Sequence, residues 1–410
     1  MATNSIVIVG GGLAGATAAG ELRERGFDGD IHLFAAEPHN PYIRPPLSKE
    51  YMTGKDGRDT VFVHPESWYR EQKIVVTTGS RVETIGDHAI TLETGREVPF
   101  DRLLLATGAT PRPLDVRGWR AGGIHTLRTI DDSETLRASL DGGGRKVVVI
   151  GAGWIGLELA SAARGYGNDV TIVAPSKIPL ARAVGPELGT MFRELHEQNG
   201  VTFSLETAVE SFELSGDEVS GVVTDRGLLP ADVVIVGVGA APDVALAEAA
   251  GIEVADAEQG GGILVDEHLA TSAPDVFAAG DVANAFHPVI GQRMRNEHWA
   301  TAIAGGKVAA ASMMGADASL DDIPYFYTDQ FDLGMEYSGY PPLAEGAEVL
   351  YRGDRAKREF IAFWLQGDRV VAGMNVNVWD VNEDVQKLIT AGGPVDRARL
   401  VDGSVALAEV

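Results

Sequence analysis

Cysteine is absent from all 410 residues. That absence excludes structural disulfides, thiolate zinc sites, cysteine-ligated iron–sulfur clusters, thiolate haem and any mechanism that runs through a redox-active thiol of this chain. Positive charge is scarce as well: 34 Lys and Arg stand against 59 Asp and Glu, a net charge of −25. Over most of a surface such a balance repels a phosphate backbone or an anionic membrane, so neither nucleic-acid binding nor membrane anchoring is expected. No stretch approaches 18 uncharged apolar residues. The richest, residues 147–157, is interrupted by Gly151, Gly153 and Gly156 and followed by Glu158, so no membrane span is expected. The first residues bring neither a basic leader nor a small-residue cleavage site, which points to a cytoplasmic protein. The nine histidines are not grouped with carboxylates at ligand spacing, and no metal site is expected.

What is present is apolar bulk and glycine: 45 % hydrophobic residues and 50 Gly. A chain of this length carries two to four domains, each with its own core. Two segments repeat one pattern. Ile6-Val7-Ile8-Val9 runs into Gly10, Gly12, Ala14 and Gly15, and Val147-Val148-Val149-Ile150 runs into Gly151, Gly153, Ile155 and Gly156. Each reads as buried parallel strand, tight turn and helix, the opening of a βαβ unit in which the pyrophosphate of a dinucleotide lies on the helix N-terminus. Two dinucleotide sites in an α/β fold are therefore expected. After the first, a strand at 31–34 leads to Glu37, placed to accept hydrogen bonds from a ribose. After the second, the strand at 170–173 ends on Ala174 instead of an acid, and Lys177 and Arg182 follow. These cations either reach the 2′-phosphate of NADP or are solvated surface charges. Further strands end on glycine at Gly108, Gly237 and Gly280. From about residue 322 aromatics cluster and strand-like alternation follows, which reads as a smaller α+β domain.

Several strings go beyond a general dinucleotide fold: Tyr42-Ile43-Arg44-Pro45-Pro46-Leu47-Ser48-Lys49, Ala106-Thr107-Gly108, Leu127-Arg128-Thr129, the second glycine copy ending in Glu158, Ala279-Gly280-Asp281, and Pro324-Tyr325-Phe326-Tyr327-Thr328-Asp329-Gln330. Together, in this order and over nearly the whole length, they resemble the NADH-dependent ferredoxin reductases of bacterial oxygenase systems, the putidaredoxin reductase type. The resemblance implies a glutathione-reductase-like flavoprotein with two dinucleotide-binding domains: an FAD domain from 1–118 and 244–321, an inserted NAD(P)H domain from 119–243, and a C-terminal α+β domain from 322–410.

It also implies roles. Lys49 lies beside the flavin ring, and Glu158 pairs with it and holds the nicotinamide carboxamide. This is chemically sensible, because an ammonium favours the negative charge of reduced flavin. Arg44 and Arg128 contact the FAD phosphates and the adenine side, Asp281 the ribityl chain and Val82 the adenine, while Trp299 packs over the flavin ring. Thr107, Gly108 and Gly239 join the cofactor contacts. The implied reaction passes electrons from NADH through FAD to a two-iron ferredoxin that feeds a monooxygenase or a ring-hydroxylating dioxygenase; NADP is not excluded. Arg293, Arg295 and Lys307 form the candidate patch for an acidic ferredoxin. The sequence departs from the family pattern at Ala174, at Tyr325 and Tyr327, where tryptophans are usual, and at Ala302-Ile303. Rival readings are a rubredoxin or quinone reductase of the same fold, or an apoptosis-inducing-factor-like interaction flavoprotein. The net negative charge argues against the last.

Overall fold

The computed structural model describes residues 3–410. The first apolar run becomes the strand Ser5–Val9, with Ile6, Val7 and Ile8 wholly buried. A strand with no polar face needs cover on both sides, and this one sits in the middle of a five-stranded parallel sheet. Across that sheet the order is Val276–Ala278, Arg102–Leu105, Ser5–Val9, Asp30–Phe34 and Ile74–Thr77. The connection leaves the central strand toward one side and later strands add on the other, which opens a crevice beyond its carboxyl end. Lys146–Ile150 repeats the arrangement in a second parallel sheet, ordered Thr202–Leu205, Asp169–Ala174, Lys146–Ile150, Val233–Val236 and Ile124–His125.

Two crossing strands join the halves. Ala109–Pro111 leaves the first sheet and Ala240–Pro242 returns to it, and they pair antiparallel. Thr107 Oγ1 donates to the Asp243 carbonyl at 2.8 Å and the Asp243 amide donates to the Gly108 carbonyl at 2.9 Å, fixing the crossing beside both glycine turns. In the first half the helices Leu13–Glu24 and Trp299–Met313 pack at close range: a Cβ on Gly306 would stand 2.6 Å from the Ala14 carbonyl.

The aromatic C-terminal segment forms an antiparallel sheet ordered Tyr325–Gln330, Leu333–Gly339, Arg369–Val376, Glu359–Gln366 and Glu348–Asp354. The helix Asn382–Ala391 covers one face, with Val385 seated over Gly373. On the other face Met335, Tyr337 and Trp364 share a core with Leu157 and Phe192 of the second half. The strand Tyr325–Gln330 thereby comes to rest against the helix Trp154–Gly165, next to the second glycine turn.

The three cations of the expected patch differ in their surroundings. Arg293 donates to the carbonyls of Val265 and Asn284, and Arg295 to those of Gly260 and Asp281 as well as to Glu297. Both guanidiniums tie loops together while keeping their charge; Arg293 and Lys307 are exposed, and Arg295 is half-buried and paired with Glu297. Among the described residues no helix is long and apolar enough to cross a membrane, and no group of three His, Asp or Glu is arranged to hold a metal ion.

Candidate functional site

The two glycine turns face one another across a cavity of about 1000 Å³. Within each turn the three glycines do different things. Gly10 has a φ of +128°, and a Cβ there would lie 2.0 Å from the Ala106 carbonyl; one on Gly15 would lie 2.3 Å from the Gly10 carbonyl. These two positions let the backbone turn and let the helix settle on the strand. Gly12 is different: its Cβ would meet nothing within 4 Å. The second turn repeats this, with Gly151 (φ +111°) and Gly156 held by backbone at 2.2 and 2.1 Å and Gly153 open. Gly12 and Gly153 are helix N-caps without a side-chain cap, and neither helix has an acid in its first turn. Free amides and an open approach on each turn fit a pyrophosphate.

Of the residues expected from sequence, Gly10, Gly12, Ala14, Glu37, Arg44, Lys49, Val82, Thr107, Gly108, Arg128, Gly153, Ile155, Glu158, Gly239, Asp281 and Trp299 all line this cavity. Gly15, Gly151 and Gly156 lie behind it in the turns. Lys177 and Arg182 are exposed and lie outside it, and Ala174 is fully buried at its strand end. At the first turn, Arg44 pairs with Glu37 at 2.8 Å, and its guanidinium lies 4.9 Å from the centre of the Tyr42 ring. Arg128 pairs with Asp281 at 2.8 Å. Burial, and then the positive charge of Arg44, push Arg128 below the ordinary guanidinium value, with Asp281 opposing. Two neighbouring half-buried guanidiniums with mutual repulsion suit an anion between them.

Where the halves meet, Lys49 and Glu158 form an ion pair of 2.9 Å with side chains only 6 % and 3 % exposed. Lys49 ends the 3-10 turn Pro45–Ser48, and Glu158 lies in the second turn of Trp154–Gly165. Glu158 also accepts the hydroxyls of Ser48 and of Thr328, the latter at 2.6 Å. The Lys49 ammonium lies 5.3 Å from the centre of the Tyr327 ring. His298 stacks on Phe326 at 4.5 Å between ring centres, and burial pushes its imidazole down to about 4, so it is neutral at physiological pH. Beside it the Trp299 indole is 38 % exposed, into the cavity. Ser48 and Thr328 stand inside the family-like strings with no role of their own legible from sequence, and His298 lies outside those strings. For Thr328 a signal was available: in Tyr325–Gln330 the polar Thr328 and Gln330 alternate onto the buried face.

A family model described as pyridine nucleotide-disulphide oxidoreductase matches residues 4–306, and one described as reductase C-terminal matches residues 325–410. The chain belongs to this oxidoreductase family. Among its members, the ferredoxin–NAD(+) reductase component of the anthranilate 1,2-dioxygenase system of Burkholderia cepacia is 38 % identical over 99 % of this chain and 99 % of that protein. Putidaredoxin reductase of Pseudomonas putida is 36 % identical over 100 % and 97 %. The crystal structure of the covalent putidaredoxin reductase–putidaredoxin complex superposes with a TM-score of 0.94 at 35 % identity, covering 100 % of this chain and 98 % of that one. As a member of the family this chain is an FAD-dependent oxidoreductase with two dinucleotide-binding folds, as the Arg-Pro-Pro-Leu-Ser-Lys string and the paired glycine turns led us to expect.

Proposed function

We propose that the chain is an NADH-dependent ferredoxin reductase: one NADH and two oxidised two-iron ferredoxins give NAD+, one proton and two reduced ferredoxins, which serve a monooxygenase or ring-hydroxylating dioxygenase. The observation that carries this reading is the buried Lys49–Glu158 pair at the point where both glycine turns open onto one cavity, in a chain without cysteine. FAD, when bound, supplies two-electron uptake and one-electron release. Residues 1–118 and 244–321 hold it, residues 119–243 take the nicotinamide cofactor and residues 322–410 close the site from the third side.

The first glycine turn, Arg44 and Arg128 hold the FAD phosphates, Asp281 the ribityl chain, and Glu37 the adenosine ribose. Thr107, Gly108, Val82 and Gly239 complete the walls. At the reacting end, ring stacking matters more than an acid or base, because hydride transfer needs aligned, closely spaced atoms. Trp299 and Tyr327 line that end, Glu158 meets the nicotinamide, and Lys49 sets a positive charge where reduced flavin gathers negative charge. NADH as the reductant is supported by the similarity to a ferredoxin–NAD(+) reductase component over 99 % of this chain. A cytoplasmic place, where NADH is supplied, belongs to the same proposal.

The test is anaerobic titration of the purified yellow protein with NADH and separately with NADPH, followed by turnover with a two-iron ferredoxin, a rubredoxin and a quinone. NADH is expected to bleach the visible absorption at the lower concentration, and the ferredoxin to be the fastest acceptor. A clear advantage for NADPH would assign the coenzyme choice to Ala174 and Lys177. Faster rubredoxin or quinone turnover would replace the acceptor.

A further inference from the structure

Behind the Lys49–Glu158 pair, away from the cavity, a line of polar side chains runs into the core shared by the second sheet and the C-terminal sheet. His196 Nε2 lies 2.9 Å from Gln330 Oε1, Gln330 Nε2 lies 3.1 Å from Thr328 Oγ1, and Thr328 Oγ1 lies 2.6 Å from Glu158 Oε1. His196, Gln330, Thr328 and Glu158 are 0, 1, 1 and 4 % exposed. Such a line in a dry core is costly unless every member is satisfied, and nothing in the cavity-side chemistry accounts for it.

The direction of the line is fixed from its ends. An ionised Glu158 accepts only, so the Thr328 hydroxyl must donate to it. The lone pair of Thr328 then takes an N–H of Gln330, which turns the amide oxygen toward His196, and the imidazole N–H must sit on Nε2. Burial keeps that imidazole neutral, pushing it down to about 4. Its Nδ1 has no partner, as fits an unprotonated nitrogen, since an orphaned acceptor there costs less than an orphaned N–H. An amide passes no proton along without becoming its imidic acid, so Gln330 interrupts any proton relay, and the line can hold a geometry but not conduct.

We propose that Thr328, locked by Gln330 and His196, is a positioning residue for Glu158: it fixes the carboxylate so that Lys49 and the bound nicotinamide meet it in one orientation. The C-terminal sheet thereby completes a site built on the other two units. Three donors hold the carboxylate from two chain segments: the adjacent Ser48 and Lys49 from one, and Thr328 from the C-terminal sheet. Without the third, Glu158 keeps its charge partner but loses its fixed orientation.

This inference rests on the reading that Glu158 meets the nicotinamide, and the experiment separates the two. NAD+ is titrated into the oxidised holoenzyme and followed by the flavin difference spectrum, a binding readout without turnover. Loss of one hydrogen bond to a charged group is expected to weaken NAD+ binding about tenfold in Thr328→Val. Thr328→Ser keeps the hydroxyl and should stay within about twofold of the parent. Gln330→Met, which leaves Thr328 free to rotate, should fall between. FAD retention should be unchanged in all three. A Thr328→Val protein that binds NAD+ within about twofold of the parent, or a Thr328→Ser protein that fails to rescue, overturns the inference. If Thr328→Val does not fold, Gln330→Met carries the test alone, and parent-like NAD+ binding there overturns it. A parent enzyme whose spectrum never responds to NAD+ would instead remove the reading of the site, and this inference with it.

Discussion

Lys49 and Glu158 are each other's main counter-charge, and removing one does not have the same cost as removing the other. Glu158→Leu leaves an ammonium in a dry site and is expected to lower unfolding free energy by about 3–5 kcal/mol in urea denaturation. Lys49→Met should cost less, because Ser48 and Thr328 still donate to the carboxylate that remains. His196 gives a pH signature. Its folded-state value, about 4, lies below the ordinary 6.5, so the unfolded chain binds the proton first and stability falls as pH drops from about 6.5 toward 4. By pH 4 the loss amounts to on the order of 3 kcal/mol. His196→Phe should be less stable than the parent at pH 7, and its unfolding curves should approach the parent's as pH is lowered. Parallel pH profiles would count against a neutral buried imidazole. Lys49 and Glu158 were legible in the sequence because their motifs are local; the line behind them was not, since His196, Thr328 and Glu158 come from three segments that only tertiary packing brings together.

At the level of elements, the glycine turns carry most of what sequence spacing revealed, and the structure divides their work. Gly12 and Gly153 have φ near −90°, where alanine is at ease, and open space beyond. Gly12→Ala is therefore expected to fold but to lose FAD, and Gly153→Ala to fold, keep FAD and bind NAD(P)H at least about tenfold more weakly. Gly15→Ala, 2.3 Å from a backbone carbonyl, should instead impair folding. FAD content, NAD(P)H titration and thermal melts separate the three; equal folding defects in all would refute the division. Parallel strands were readable as unbroken β-branched runs, and their ends moved by a residue or two. The pairing of Ala109–Pro111 with Ala240–Pro242 was not, because three-residue strands carry no periodicity and their partners lie far apart in the chain. The loop-tying bonds of Arg293 and Arg295 were not readable for a related reason: each guanidinium donates to two carbonyls that lie far from it in the chain or on another strand.

Over the whole molecule, three units line one cavity in a chain without a thiol, and the proposed function gives both the uptake and the release of electrons to one flavin. The disulphide after which the family is described has no counterpart in a chain with no cysteine. That makes the electron capacity of the protein its most telling property. Anaerobic titration of the FAD-loaded chain with dithionite should end at two electrons per chain, with the yellow colour fully bleached. Two equivalents of oxidised two-iron ferredoxin should then restore it. An end point near four electrons per chain, or purified protein that is colourless and cannot be reconstituted with FAD, would contradict the assignment.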